Sequence, residues 1–142
     1  HAIDSVTSLD NEYDVVILLQ PTSPLRTFQD IDKAIDIMIS SNATAVISTC
    51  KTNNKVLKTV TNKSDGFIEG LVDNKLPFMR RQDLPEVYTP NGAIYAVNVD
   101  LFKRDKSFIT KKTANYVMFK KYSADIDTMN DLRRAASLID VL

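Results

Sequence analysis

Histidine, glycine and cysteine are scarce in this chain of 142 residues, and each shortage excludes a class of site. The only histidine is His1, at the chain end, so acid–base chemistry or metal binding through histidine is not expected. The three glycines form no phosphate-binding loop of a familiar spacing. The single cysteine, Cys50, cannot form an internal disulfide and is interpreted as a small buried hydrophobic residue. This cysteine usage agrees with a cytoplasmic location.

Net charge and long apolar runs are also missing. The formal net charge is +0, so neither nucleic acid nor an anionic membrane is an expected partner. No apolar run approaches the length of a membrane span, and no signal-peptide pattern opens the chain. The composition is ordinary for a globular protein, and the length predicts one domain. Because the chain begins without methionine and soon reaches a predicted strand, we interpret it as a fragment of something longer.

The strongest local signal is the unbroken apolar run of residues 15–19 (VVILL). Its length and β-branched residues predict a strand buried on both faces, as in a parallel sheet. Pro21 ends this strand and Pro24 stiffens the residues after it, so a short rigid loop lies beyond the strand's carboxyl end, where open α/β sheets bind ligands. The loop offers polar groups suited to a polyol, an acetamido group or a carboxylate. These groups belong to Gln20, Thr22, Ser23 and Arg26. Alternatively, the two prolines merely shape a connection.

Helical spacing and capping patterns predict the elements around this loop. A helix over residues 28–41 begins at a capping box formed by Thr27 and Asp30, and a second buried strand follows at 45–49. Strand, helix and strand in this order imply a right-handed crossover and a parallel pair. The later elements are a core strand, one or two helical turns, a last strand and a last helix. Their ranges are 91–98, 99–104, 116–122 and 128–142. The apolar face of the last helix comprises Leu132, Ala135, Ala136, Ile139 and Leu142.

Residues 51–90 are more polar and less regularly patterned than the predicted core. Residues 57–61 and 67–72 predict two short strands around a turn at Gly66, and residues 76–90 are expected to run extended because prolines block a helix. This segment is interpreted as an excursion from the sheet that serves as a lid or a dimer arm. Within it, Arg80 and Arg81 are adjacent cations, and the simpler interpretation is that both side chains are solvated.

Asp125 and Asp127 lie where the last predicted strand meets the last helix. If the strand continues, a spacing of two places both carboxylates on one face. Paired carboxylates without histidine or cysteine favour Mg²⁺, which usually completes its coordination with substrate phosphate oxygens. The alternative is that Asp127 caps the helix and Asp125 is solvated.

Four motifs occur in order along the chain. They are residues 19–26 (LQPTSPLR), 81–85 (RQDLP), 90–95 (PNGAIY) and 125–128 (DIDT). Together they resemble the acylneuraminate cytidylyltransferases, which are the CMP-sialic acid synthetases and their relatives acting on legionaminic- and pseudaminic-type sugars. The resemblance runs from about residue 13 to the end. It implies an α/β fold of the nucleotidyltransferase (Rossmann-like) type, with a mainly parallel sheet, flanking helices and a protruding β-hairpin dimerisation arm.

The resemblance also implies an activity and a set of site residues. The family transfers CMP from CTP to the anomeric hydroxyl of a nine-carbon 2-keto sugar acid and releases pyrophosphate. Asp125 and Asp127 match its catalytic, Mg²⁺-binding aspartates, and Lys58 and Arg81 match basic residues donated across a homodimer to the sugar carboxylate. The remaining matches to the substrate site are Gln20, Thr22, Ser23, Arg26, Asn91, Tyr95 and Phe108.

The chain departs from the family pattern in three places. The amino-terminal segment that grips CTP is absent, so this chain corresponds to the sugar-and-metal half of the enzyme. Thr89 stands where some sialic-acid enzymes carry arginine, and Ser107 with Phe108 stands where they carry two aromatic residues. Two alternatives stay open: a cytidylyltransferase for an eight-carbon sugar acid (CMP-Kdo type), and a non-catalytic module that binds a sugar acid.

Overall fold

The computed structural model describes residues 1–7 and 12–139, which divide into two compact units. The sheet unit comprises His1–Cys50 and Pro90–Leu142, and the arm unit comprises Lys51–Thr89. Across the described ranges, none of the helices combines the length and the apolar character needed to cross a membrane.

The described residues form four α-helices and six strands, and short 3-10 turns lie between several of them. The helices are α1 (Ala2–Thr7), α2 (Phe28–Ser40), α3 (Val99–Asp105) and α4 (Met129–Ile139). The strands are β1 (Val15–Leu18), β2 (Ala45–Thr52), β3 (Val60–Asn62), β4 (Ile68–Gly70), β5 (Val87–Asn98) and β6 (Thr113–Val117). Helix α1 is an element that the sequence analysis did not predict.

The main sheet is mixed, which corrects the prediction of a mainly parallel sheet. Its order is β1-β5-β2-β6. Strand β1 pairs antiparallel with β5, so that Leu18 lies opposite Tyr95, and β2 pairs parallel with β6, so that Ala45 lies opposite Thr113. The predicted β1–β2 pair is not adjacent, because β5 returns between them. An apolar run predicts a strand but carries no information on the direction of its neighbour.

Strand β1 lies at one end of this order, and the prediction that it is buried on both faces is wrong. Val15 and Leu18 are exposed, whereas Val16 and Ile17 are half-buried. Among the described strands, β5 is its one neighbour. The hydrophobic core forms where α2 packs on the sheet. The buried members of this cluster are Ala34, Met38, Val46, Ala93, Ile94, Ala96 and Met118.

Helix α2 confirms the predicted helix and its capping box. The Thr27 backbone N–H donates to Asp30 Oδ2 at 2.7 Å. Asp30 Oδ1 also accepts a 2.6 Å hydrogen bond from the Tyr116 hydroxyl, which joins the helix to β6. Burial raises the pKa of Asp30, but the hydrogen bonds from Tyr116 and Thr27 outweigh it, and the net pKa is lowered. The helix stops before Asn42, which adopts a positive φ of 49°.

The arm unit contains the predicted hairpin in a shorter form. Strands β3 and β4 pair antiparallel, and the Lys63 N–H donates to Phe67 O at 2.8 Å across a turn in which Gly66 has a φ of +85°. Part of the predicted first strand is instead a 3-10 turn at Asn54–Lys58, which the Asn53 side chain caps. The expected extended run contains two more 3-10 turns, because proline excludes an α-helix yet fits a single turn.

The last strand is shorter than predicted and begins earlier in the chain. Strand β6 ends at Val117, and a 3-10 turn at Lys120–Tyr122 replaces the predicted continuation. The capping box of α4 is confirmed, since the Thr128 N–H donates to Asp131 Oδ2 at 2.9 Å. Of its predicted apolar face, Ala135 is buried, whereas three residues are exposed and the last lies outside the described residues. The exposed residues are Leu132, Ala136 and Ile139, and the last is Leu142.

Candidate functional site

The loop after β1 is held in shape by its own backbone and by Arg26. The Gln20 N–H donates to Gly92 O at 3.3 Å, and the Ser23 N–H donates to Gln20 O at 3.2 Å. The half-buried Arg26 guanidinium donates through Nη1 to Gln20 O and Ser23 O, each at 2.7 Å. Charge-assisted bonds of this kind are the stronger ones, so Arg26 fixes the loop that presents Gln20 and Thr22. Whether Arg26 also contacts a substrate stays a prediction.

The same loop packs directly against the start of the core strand β5. Ser23 is buried, and its hydroxyl donates to Asn91 O at 2.8 Å. Gly92 has a φ of +74°, and a Cβ placed there would lie 2.6 Å from Ser23 Oγ and closer still to Gln20 Oε1. Glycine is needed at this position for two reasons: it adopts the left-handed backbone conformation, and it lets Gln20 and Ser23 approach the strand closely.

Asn91 connects three parts of the sheet unit. The residue is 5% exposed, and both polar atoms of its side chain form hydrogen bonds within the protein. Oδ1 accepts from Ser48 Oγ in β2 at 2.6 Å, and Nδ2 donates to Ser123 Oγ at 2.9 Å. The geometry makes Asn91 a structural connector, and its predicted contact with a substrate is a separate hypothesis.

The acidic motif lies beside the loop, in a segment that is not a strand. The Ile126 N–H donates to Thr22 O at 2.9 Å, which joins this segment to the loop. Asp125 and Asp127 are both exposed, and within the described ranges neither carboxylate has an ion-pair partner. The predicted face-sharing along a strand does not apply, because β6 ends at Val117.

The two aspartates fit a hard cation whose coordination shell is completed by substrate oxygens. The described residues contain no group of three or more His, Cys, Asp or Glu side chains able to hold a metal ion by themselves. Mg²⁺ is commonly held by one or two carboxylates together with substrate phosphates and water, so a pair of exposed aspartates suffices. The residues that would hold it are Asp125 and Asp127.

Two predicted aromatic residues form a cluster further along β5. The rings of Tyr95 and Phe108 have centroids 5.4 Å apart at an angle of 48°, and Phe108 packs on Phe102 at 4.9 Å. Because Tyr95 lies opposite Leu18, this cluster is on the part of β5 that pairs with the end of β1. It offers an apolar wall with one phenolic hydroxyl.

The two predicted cations Lys58 and Arg81 belong to the arm unit. Lys58 is half-buried at the end of a 3-10 turn, and Arg81 is exposed and lines a cavity of about 520 Å³ formed within this unit. Lys51 in the same cavity pairs with Glu86, which raises the pKa of Lys51. Among the described residues, Arg81 has no carboxylate within ion-pair distance and is therefore available to an anion.

Sequence reasoning missed two serines that complete this arrangement, the buried Ser48 and the half-buried Ser123. Ser48 lies in the middle of the apolar run of β2, is fully buried, and both donates to Asn91 and accepts from the Ile94 N–H at 2.7 Å. A serine inside an apolar strand run is the signal that could have found it, because a buried hydroxyl needs partners. Ser123 carries no comparable signal in the sequence.

Comparison with known proteins identifies relatives over most of the chain. The sequence is 36% identical over 115 residues to an N-acylneuraminate cytidylyltransferase of Streptococcus agalactiae serotype V, covering 81% of this chain and 28% of the relative. It is 27% identical over 136 residues to an N-acylneuraminate cytidylyltransferase of Escherichia coli O18:K1:H7, covering 96% of this chain and 32% of the relative.

A third relative has a different name and a shorter chain. It is the Post-translational flagellin modification protein B of Campylobacter coli, 24% identical over 128 residues, with 90% of this chain and 54% of the relative covered. No protein-family model matches the chain. The chain thus spans less than two thirds of each relative's length, and for that segment the resemblance to the acylneuraminate cytidylyltransferases is confirmed.

Proposed function

Since the chain belongs, over the segment it spans, to the CMP-sialic acid synthetase family, we propose that it forms the sugar- and metal-binding part of a cytidylyltransferase. The reaction transfers CMP from CTP to the anomeric hydroxyl of a sialic-acid-like nine-carbon 2-keto sugar acid. The anomeric oxygen bonds to the α-phosphorus and its hydroxyl proton passes to solvent. The bond from that phosphorus to the oxygen bridging to the β-phosphate breaks, and pyrophosphate leaves.

The observation that carries this proposal is the hydrogen-bonded convergence of three motifs far apart in the sequence. Ser23 in the first motif donates to the backbone of Asn91 in the third. Thr22 accepts from the backbone of Ile126, between the two aspartates of the fourth motif. A purely structural loop would not need to bring a half-buried carboxamide, an exposed hydroxyl and exposed carboxylates to one place.

The proposed roles follow from the chemistry of each side chain. Gln20 and Thr22 offer donors and acceptors to sugar hydroxyl and acetamido groups, and the wall of Tyr95 and Phe108 suits an acyl group. Asp125 and Asp127 would hold Mg²⁺, which when bound neutralises charge on the transferring phosphoryl group.

We further propose that the arm unit forms a homodimer and that Lys58 and Arg81 face the partner's sugar site. The arm unit exposes large apolar side chains around its hairpin, which favours an interface. These are Phe67, Ile68, Leu71, Val72 and Phe78, with exposed fractions of 72%, 64%, 55%, 64% and 88%. An unpaired guanidinium at Arg81 suits a carboxylate.

The test of the activity is pyrophosphate release with CTP, Mg²⁺ and a panel of sugar acids: sialic, legionaminic, pseudaminic and the eight-carbon acid. It is run on this chain and on the longest natural protein that contains it. Release with a nine-carbon acid supports the proposal. Release with the eight-carbon acid alone replaces it with the CMP-Kdo alternative. Calorimetric binding of a sugar acid without any release would indicate a binding module.

Asp127→Asn tests the metal assignment in whichever protein is active. Loss of one carboxylate ligand should lower kcat/KM about 100-fold or more, because metal stabilisation of phosphoryl charge is worth several kcal/mol. Asp32→Asn, at an exposed position of α2, is the matched control and should retain activity. Equal activity of the two variants would refute the assignment of Asp127.

A further inference from the structure

The acidic motif is carried by a segment that lies between β6 and α4 and belongs to neither. Strand β6 ends at Val117 and α4 begins at Met129, so we call residues 119–128 the acidic segment. The last described backbone bond to β2 before this segment joins the Met118 N–H to Thr49 O at 2.8 Å. The shape of the acidic segment therefore depends on its own turns and on hydrogen bonds to other elements.

Among the described residues, two hydrogen bonds join the acidic segment to β5 and to the loop after β1. Before Asp125, Asn91 Nδ2 in β5 donates to Ser123 Oγ at 2.9 Å. After Asp125, the Ile126 N–H donates to Thr22 O at 2.9 Å. Asp125 thus lies between a side-chain tether and a backbone tether.

The Ser123 hydroxyl acts both as an acceptor and as a donor. Besides accepting from Asn91, it donates to Phe119 O at 3.1 Å, across the 3-10 turn at Lys120–Tyr122. Asn91 is itself buried, and its Oδ1 accepts from Ser48 Oγ at 2.6 Å. The half-buried Ser123 side chain therefore fixes this turn, which leads into the acidic motif, to the core of the sheet unit.

Asp127 is placed by a different contact. It comes directly before Thr128, whose N–H and hydroxyl donate to Asp131 Oδ2 at 2.9 and 2.6 Å in the cap of α4. This cap holds Asp127 without help from Ser123. Loss of the Ser123 bonds would therefore free Asp125 to move relative to Asp127.

We propose that Ser123 is a positioning residue, which holds the backbone before Asp125 so that both aspartates of the acidic motif can bind one divalent cation. Mg²⁺ demands near-ideal octahedral geometry, so two ligands must keep their spacing. An untethered Asp125 would first have to be ordered on binding, at a cost in conformational entropy. The inference rests on the proposed function for the choice of metal, whereas the contacts of Ser123 are independent of it.

The amide signal of Ile126, between the two aspartates, supplies the measurement. Mn²⁺ prefers the same oxygen ligands as Mg²⁺, and its unpaired electrons broaden the magnetic resonance signals of nearby amides. We expect saturable broadening at Ile126 in the unaltered chain and its loss in Asp127→Asn. Ser123→Ala should raise the Mn²⁺ concentration for half-maximal broadening about tenfold, the lower end of the range for residues that act through a metal ligand.

Thr44→Val is the matched control. Thr44 Oγ1 lies 2.7 Å from Thr110 Oγ1, so a half-buried hydroxyl again joins two segments, here at the amino-terminal end of β2. Asp125 instead shares a cavity lining with Cys50, towards the other end of that strand. Thr44→Val should bind Mn²⁺ as the unaltered chain does. Equal Mn²⁺ affinity in Thr44→Val and Ser123→Ala would make the Ser123 bonds purely structural and refute the proposal.

A conservative variant separates the hydroxyl from the fold. Ser123→Thr keeps the hydroxyl and should bind Mn²⁺ within about twofold of the unaltered chain. If Ser123→Thr is folded by circular dichroism but binds Mn²⁺ as weakly as Ser123→Ala, the hydroxyl does not position Asp125.

The failure of this proposal and the failure of the proposed activity are distinguishable. No pyrophosphate release with any sugar acid, together with weaker Mn²⁺ binding in Ser123→Ala, would refute the activity and support the role of Ser123. Pyrophosphate release without Mn²⁺ broadening at Ile126, or with broadening that Asp127→Asn leaves unchanged, would support the activity and overturn this inference.

Discussion

At the scale of a single residue, Gly92 sets how closely the loop after β1 approaches the core strand. Its φ of +74° and the short approach of Ser23 Oγ allow no side chain without movement. Gly92→Ala should therefore lower the free energy of unfolding by about 2 kcal/mol or more, which urea denaturation measures.

Gly66→Ala separates the two causes of that loss. Gly66 also has a positive φ, of +85°, but a Cβ there meets nothing within 4 Å. This control should cost about 1 kcal/mol, the backbone cost alone. If Gly92→Ala costs no more than Gly66→Ala, the contact with Ser23 does not constrain the loop.

The residue scale is also where sequence reasoning was least complete. The motif around Asn91 and Gly92 was recognised, but its pattern did not reveal that the Asn91 side chain is buried and hydrogen-bonded to Ser48 and Ser123. Spacing along a strand reports the face of a residue. It does not report which distant hydroxyl meets it, because that depends on the pairing of strands far apart in the sequence.

At the scale of elements, Asn91 joins β2, β5 and the segment after β6. Replacing it would remove the hydrogen bonds that its side chain makes with Ser48, Ser123 and the Ala93 N–H. Asn91→Ala should lower the free energy of unfolding by about 3 kcal/mol, since each of the three hydrogen bonds lost contributes about 1 kcal/mol. Urea denaturation, followed by circular dichroism, measures the loss.

Asn115→Ala is the control for this prediction. Asn115 lies on β6 and accepts a single hydrogen bond, from Thr49 Oγ1 at 2.7 Å, with its own side chain exposed. It should cost about 1 kcal/mol. If the two variants are equally stable, Asn91 does not connect the elements as the geometry indicates.

Elements with local signals were predicted well, and elements defined by distant partners were not. Helix α2 and both capping boxes follow from residues three or four apart, and the structure confirms them. The position of β1 at one end of the described strand order, and the end of β6 at Val117, depend on neighbours that lie far away in the sequence. An apolar run has the same composition in an edge strand and in a central one, so its burial could not be read from sequence.

At the scale of the whole molecule, the predicted site residues are divided between the sheet unit and the arm unit. The residue patterns alone predicted a ligand-binding loop after β1 and a metal site at the acidic motif. The resemblance added Asn91, Tyr95 and Phe108 in the sheet unit and Lys58 and Arg81 in the arm unit. The geometry then adds how the loop, Asn91 and the acidic motif are joined within the sheet unit. The proposed roles of Lys58 and Arg81 require two copies of the chain to assemble.

The exposed apolar side chains of the arm unit should hold two copies together. Phe67 is 72% exposed next to β4, so Phe67→Glu would place a charge within the proposed interface. An unpaired charge buried on association costs several kcal/mol, which should raise the dissociation constant of the dimer about 100-fold or more. Sedimentation across a dilution series would then show monomer where the unaltered chain is dimer. Phe28→Glu is the control, because Phe28 is 71% exposed at the start of α2, where an acidic residue is favourable. A monomeric unaltered chain, or equal weakening by both variants, would remove the arm from the interface and with it the proposed contribution of Lys58 and Arg81 to the partner's sugar site.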